Sequence, residues 1–103
     1  MAEFQKVANV SDVPAGTGKK VEAGGKVLAL FNVGGAFCAI QEQCPHRGGP
    51  LSEGMLQGSH LTCPWHAWTF DVSNGQRVGF PDGLGKIQTY KVRVEGNDVL
   101  VEC

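Results

Sequence analysis

The chain has 103 residues, a formal net charge of -1 and a hydrophobic content of 42%, which suits one domain over residues 1–103. The basic residues are scattered, with no Lys- or Arg-rich run, which argues against a nucleic-acid partner. The start contains no apolar stretch of a secretion signal, and no run of eighteen apolar residues occurs. We therefore expect a cytoplasmic location and no membrane partner.

Short alternating or β-branched apolar runs predict an all-β chain of antiparallel strands, and no segment shows the period of a helix. The expected strands, in chain order, cover residues 3–7, 20–22, 26–33, 36–41, 87–94 and 99–103, with a short hairpin over 55–63. Turn-forming residues are expected to join strands at 34–35, 73–75 and 95–98, with loops at 14–20 and 80–85.

Two segments in the middle of the chain each contain one Cys and one His. They are Cys44-x-His46 and Cys63-x-x-His66, with sixteen residues between them, in a predicted two-loop insertion over about 44–70. Four cysteines could form two disulfides in a secreted protein, but in a reducing compartment paired Cys and His residues indicate a metal site.

Two kinds of metal centre fit this set of ligands. A structural zinc ion takes two Cys and two His, although its commonest patterns pair Cys with Cys and His with His. Two facing loops could instead bring the sulfurs together at one end and the imidazoles together at the other. That arrangement suits an elongated two-iron cluster, and zinc stays open as the alternative.

The segments CPHRGGPLSEG (44–54) and CPWHAWTFD (63–71) resemble the cluster-binding loops of the Rieske [2Fe-2S] family. The resemblance implies a Rieske-like β-sandwich or barrel that holds one [2Fe-2S] cluster per chain. It further implies that Cys44 and Cys63 bind the inner iron, and that His46 and His66 bind the outer iron. A proline-containing segment, FPDG (80–83), would cover the cluster from a third side.

The remaining Cys and His residues are predicted to have no role in the cluster. We interpret His60, which lies between the loops, as an exposed strand residue. Cys38 lies in the apolar run 36–41 and is predicted to act as a small buried hydrophobe. Cys103 is expected to be an untethered thiol, and a bridge between Cys38 and Cys103 stays open.

The aromatic residues of the second loop are predicted to differ in burial. Trp68 and Phe70 are two positions apart, so they share one strand face and are expected to pack in the core. Trp65 lies between two ligands and is expected to be partly exposed. High-potential Rieske proteins carry an extra disulfide and two hydroxyl donors at the positions of Gly49, Trp65, Trp68 and Phe70, so the resemblance implies a low reduction potential.

The resemblance implies a one-electron carrier that is not catalytic alone. Three histidines occur in the chain, which leaves too few for the mononuclear iron site of an oxygenase. The expected partners are a flavin-containing reductase and a terminal oxygenase, docking near His46, Arg47, Trp65 and His66. One alternative is a small redox subunit of a larger reductase such as nitrite reductase, and another is a structural zinc module.

Overall fold

The computed structural model describes residues 4–43, 50–64, 68–78 and 87–102, which contain ten strands. The strands are β1 (Phe4–Asn9), β2 (Gly18–Ala23), β3 (Lys26–Val33), β4 (Ala36–Gln41), β5 (Met55–Gln57), β6 (His60–Thr62), β7 (Thr69–Asp71), β8 (Thr89–Tyr90), β9 (Val92–Glu95) and β10 (Asp98–Glu102). Two 3₁₀ helices, Val10–Asp12 and Leu51–Glu53, were not predicted from the sequence. The described ranges contain no helix with the length and hydropathy needed to cross a membrane.

Within these ranges the strands form three antiparallel sheets, with orders β1-β10-β9, β2-β3-β4-β8 and β5-β6-β7. The predicted all-β, antiparallel fold class is confirmed. The predicted runs 26–33 and 36–41 coincide with β3 and β4, and the turn between them contains Gly34 and Gly35, both with positive φ. Positive φ is accessible to glycine at low cost, which explains why this turn was predictable.

Strand β3 divides the core into two parts. Ala29 and Phe31 pack into one buried cluster with Leu61 and Phe70 of the β5-β6-β7 sheet. Leu28 and Leu30, on the opposite face of β3, pack into a second cluster with residues of β10. The β2-β3-β4-β8 sheet is therefore covered on both faces, which explains the continuous apolar run in β3.

The predicted strand over 87–94 is wrong as a single element. It consists of β8, which pairs with β4, and β9, which pairs with β10 in another sheet. The chain changes sheets at Lys91, whose carbonyl accepts a hydrogen bond from the Glu102 N–H at 2.9 Å. Alternation of apolar residues continues through this change, so the sequence pattern does not reveal it.

The predicted loop over 14–20 is also too long, because β2 begins at Gly18. Gly18 pairs with Phe31, and a Cβ atom at this position would lie 2.3 Å from a carbon of the Phe31 ring. The glycine is thus required by the close approach of the phenyl ring and does not mark a turn.

Candidate metal centre

The second Cys–His segment forms the connection between β6 and β7. Cys63 directly follows β6, is 2% exposed, and donates its backbone N–H to the Trp68 carbonyl at 2.8 Å. Thr62 and Thr69, the last paired residues before this connection, have their hydroxyl oxygens 3.3 Å apart. The connection is therefore a hairpin loop with a closed base and with the Cys63 thiol at the buried end.

The first Cys–His segment is also closed at its base. Gln43 and Pro50 form an antiparallel bridge, and the Leu51 N–H donates to the Glu42 carbonyl at 2.8 Å. Cys44, His46 and Arg47 lie between these residues, outside the described part of the chain, as do Trp65 and His66 in the second loop. Of the four predicted ligands, Cys63 alone falls in the described ranges.

Gly54 brings the bases of the two loops into contact. It follows the Leu51–Glu53 helix and has φ of -72°, so its backbone conformation does not require glycine. A Cβ atom here would lie 2.5 Å from the Thr62 carbonyl oxygen and 2.8 Å from the Leu61 Cδ1 atom. Absence of a side chain therefore lets the end of the first loop pack directly on β6, the strand that leads into Cys63.

Trp68 closes the second loop and is held on two sides. Its ring centroid lies 6.3 Å from that of Phe70, which is fully buried, and the ring planes are inclined by 52°. The Arg77 guanidinium carbon lies 3.5 Å from the Trp68 ring centroid, a cation–π contact. The predicted core packing is confirmed for Phe70, whereas Trp68 is only half-buried. The contact between Arg77 and Trp68 was not predicted, because nothing in the spacing of these residues indicates it.

The other predictions for individual residues have separate outcomes. His60 is exposed on β6, as predicted, and Cys38 carries a free thiol that is half-buried against the core. Cys103 and the FPDG segment (80–83) lie outside the described residues. The flanks of that segment are described: the Val78 N–H donates to the Thr69 carbonyl, and the Ile87 N–H donates to the Gly75 carbonyl, each at 2.8 Å.

Glu42 is a buried carboxylate that ties together the two ends of the first loop. It is 8% exposed, and its oxygens accept hydrogen bonds from the Ser52 N–H at 2.9 Å and from the Ser52 hydroxyl at 2.7 Å. These bonds join the residue before the loop to the 3₁₀ helix after it. This role was not predicted from the sequence, because it depends on a contact between residues ten positions apart.

We predict that Glu42→Ala lowers the free energy of unfolding by about 2 kcal/mol, because the Ser52 N–H and the Ser52 hydroxyl both lose their acceptor at the partly buried loop base. Ser52→Ala removes the hydroxyl bond only and should cost about 1 kcal/mol. Urea unfolding of the two variants measures both values. Equal stability of Glu42→Ala and the wild-type chain would show that the Glu42–Ser52 bonds do not hold the loop base.

Burial is the main cause that raises the pKa of the Cys38 thiol, and the nearby negative charge of Asp71 raises this pKa further. We predict the pH dependence of the rate at which iodoacetamide modifies Cys38. In the folded Cys103→Ser variant, the inflection of this rate should lie at a higher pH than in the unfolded chain. Asp71→Asn should move the inflection back toward lower pH, because it removes the nearby negative charge. Identical pH profiles for the folded and unfolded chains would contradict this account.

The residues present fit a two-iron cluster. A buried thiol begins a closed loop, and the base of a second closed loop packs beside it through Gly54. The sequence places one thiol and one imidazole in each loop, the donor set of a cluster with two sulfur and two nitrogen ligands. When bound, such a cluster accepts and releases one electron.

Comparison with known proteins agrees with this site. The family described as Rieske [2Fe-2S] domain matches residues 3–91. The 3-phenylpropionate/cinnamic acid dioxygenase ferredoxin subunit of Escherichia coli (strain K12) is 38% identical over 94 residues, which cover 90% of this chain and 87% of that protein. Human Apoptosis-inducing factor 3 is 40% identical over 98 residues, but the match spans only 16% of its length.

A solved structure gives the same result at the level of the fold. A chain in the complex of reduced oxygenase and oxidized ferredoxin in carbazole 1,9a-dioxygenase has a TM-score of 0.86 and 33% identity, covering 96% of this chain and 92% of that chain. The protein thus belongs to the Rieske [2Fe-2S] domain family. Its cofactor is a Rieske-type [2Fe-2S] cluster, which replaces the zinc alternative, and it is an electron-transfer component.

Proposed function

We propose that Cys44 and Cys63 bind the inner iron of the cluster and that His46 and His66 bind the outer iron. The 2% exposure of Cys63 supports its place at the inner end, because a thiolate ligand there is shielded from solvent and competing oxidants. Each loop supplies one sulfur and one nitrogen, which supports the assignment of both sulfurs to one iron and both nitrogens to the other.

The chain acts as a one-electron carrier from a flavin-containing reductase to the terminal oxygenase of a ring-hydroxylating dioxygenase system. The observation that carries this proposal is the match along 90% of this chain and 87% of a dioxygenase ferredoxin subunit. The carrier works in the cytoplasm as a single domain over residues 1–103. Its partners dock transiently near His46, Arg47, Trp65 and His66.

Reconstitution tests the carrier function. The purified chain is combined with an NADH-dependent flavin reductase and the terminal oxygenase of carbazole 1,9a-dioxygenase, and product is measured while the chain is varied at substoichiometric amounts. A carrier supports many turnovers per molecule, so product should rise in proportion to the chain added. Product independent of the chain would contradict the proposal, and stable co-elution with a larger reductase would favour the alternative of a permanent subunit.

The reduction potential should fall in the lowest third of the Rieske span of about −150 to +300 mV. Phe70, at a position where high-potential members carry a hydroxyl, is fully buried in the apolar core and offers no hydrogen-bond donor from its side chain. Fewer hydrogen bonds to the cluster sulfurs leave the reduced state less stabilised, which lowers the potential. Voltammetry at neutral pH checks this, and a value above about +150 mV would indicate a respiratory-type role.

A further inference from the structure

The chain turns after β7 and returns along that strand at Arg77. This residue forms an antiparallel bridge with Phe70, and the Val78 N–H donates to the Thr69 carbonyl at 2.8 Å. Residues paired in this way point to the same face of a sheet, and a long side chain reaches the diagonal neighbour two positions along the partner strand. For Arg77 that neighbour is Trp68, the residue that closes the second cluster loop.

The Arg77 guanidinium is held against the Trp68 ring. Its carbon atom lies 3.5 Å from the ring centroid, compared with 4.5 Å for the similar contact between Arg93 and Phe4. Both Arg77 and Trp68 are half-buried. The ring excludes water from one side of the cation, and a charge with less water around it acts more strongly on its surroundings.

Trp68 also contacts the start of the second loop. Its carbonyl accepts a hydrogen bond from the Cys63 N–H at 2.8 Å, and the Cys63 side chain, a proposed ligand of the inner iron, is 2% exposed. The proposed ligand His66 lies two positions before Trp68 in the chain. One tryptophan residue therefore separates the positive charge of Arg77 from the backbone of the loop that contains two proposed ligands.

A positive charge near the cluster has a defined effect on the redox equilibrium. The electron that the cluster accepts adds one negative charge, so a nearby cation interacts more favourably with the reduced state than with the oxidised state. This sign does not depend on the charges already present on the iron, sulfur or ligand atoms. Arginine stays protonated at all working pH values, so its contribution does not depend on proton uptake.

We propose that Arg77 stabilises the reduced state of the cluster and thereby raises the reduction potential of this chain. This role depends on the proposed ligation of iron by Cys63, and it assigns a function to a residue outside both cluster loops. Phe70, at a position where high-potential members carry a hydroxyl, offers no side-chain donor to the cluster. The Arg77 charge supplies part of the stabilisation that such a donor would give.

Substitutions at Arg77 can separate its charge from its packing on Trp68. Arg77→Met removes the charge but keeps a long side chain that packs on an aromatic ring, and Arg77→Lys keeps the charge but loses the planar guanidinium. Arg77→Gln is a second uncharged variant, with a polar end. Arg93→Met is the matched control, because it removes an arginine that has its own aromatic contact from β9, in another sheet.

Voltammetry at neutral pH and low salt measures the potential of each variant, and visible and EPR spectra report whether the cluster environment is intact. Arg77→Met and Arg77→Gln should each lower the equilibrium constant for reduction by about fourfold, which corresponds to about 35 mV in a one-electron couple. The potential of Arg77→Lys should lie closer to that of the wild-type chain than to those of the uncharged variants. Arg93→Met should match the wild-type chain, and the spectra should be unchanged in all four variants.

Several outcomes would overturn the role assigned to Arg77. Potentials of the uncharged variants that equal the potential of Arg93→Met would show that the charge does not act on the cluster. A potential of Arg77→Lys as low as that of Arg77→Met, or altered spectra in Arg77→Met, would show that the residue acts by packing on Trp68. Loss of the cluster in both uncharged variants would show that Arg77 holds the loop and does not tune the potential.

These measurements also keep the role of Arg77 distinct from the ligand set and from the carrier function. The potential is measured without a partner protein, so it does not depend on a reductase or an oxygenase. An unchanged potential in Arg77→Met, together with absence of the cluster in Cys63→Ser, would overturn the role of Arg77 alone. A full cluster in Cys63→Ser would contradict the ligand assignment, and the role of Arg77 with it.

Discussion

Cys63→Ser is expected to yield a chain without the [2Fe-2S] cluster. The Cys63 side chain is buried at the start of the second loop, and a serine hydroxyl is a poor replacement for a thiolate ligand to iron. The variant should lack the visible absorption of the cluster and contain little iron or acid-labile sulfide. Metal and sulfide analysis of protein purified without air measures this directly, and Cys44→Ser should behave in the same way.

Cys38→Ser is the matched control for this prediction. Cys38 is a half-buried thiol on β4 that packs against the same core cluster as Cys63. Its replacement removes a sulfur from the same core region without removing a proposed ligand, so iron and sulfide contents should equal those of the wild-type chain. Loss of the cluster in Cys38→Ser, or its retention in Cys63→Ser, would contradict the ligand assignment.

Gly54→Ala should produce the second large effect. The new Cβ atom would overlap the Thr62 carbonyl oxygen and the Leu61 side chain, and a backbone atom cannot move away without shifting β6. Such overpacking is expected to lower the free energy of unfolding by about 3 kcal/mol. Because β6 leads into Cys63, the variant should also lose its cluster faster than the wild-type chain when a chelator is present.

Gly58→Ala is the comparison for Gly54→Ala within the same sheet. Gly58 has a φ of 60° in the β5–β6 turn, and no atom lies within 4 Å of a Cβ built there. Its replacement should therefore cost only the strain of the left-handed conformation, about 1 kcal/mol. Similar stability losses in the two variants would show that Gly54 is not a site of tight contact between the loops.

The parts of the fold that were predictable depend on local chemistry. Strands β3 and β4 were predicted with correct bounds because their apolar runs end at Gly34-Gly35, where positive φ produces a turn. The change of sheet at Lys91 was not predictable, because the strand alternation is the same before and after it. Local patterns thus identify strands but do not specify which strand each one pairs with.

The same distinction applies to the site. The Cys and His residues could be proposed as ligands because the choice and spacing of metal ligands are restricted by chemistry. Glu42 and Arg77 were missed, because their roles arise from contacts with Ser52 and Trp68 that appear only when the strands are assembled. The proposed ligands form a motif in the sequence, whereas the residues that support the loop bases are defined by packing.

Two thiolates and two imidazoles are the proposed ligands of one Rieske-type [2Fe-2S] cluster. Pulsed EPR of the dithionite-reduced protein, with the imidazole nitrogens of histidine labelled with ¹⁵N, distinguishes this ligand set from the alternatives. We predict hyperfine couplings from two directly bound histidine nitrogens. Both couplings should be lost together with the cluster signal in Cys63→Ser, and part of the coupling should be lost in His46 or His66 variants. A reduced cluster signal with no coupling to a bound histidine nitrogen, or a colourless protein containing one zinc ion, would contradict it.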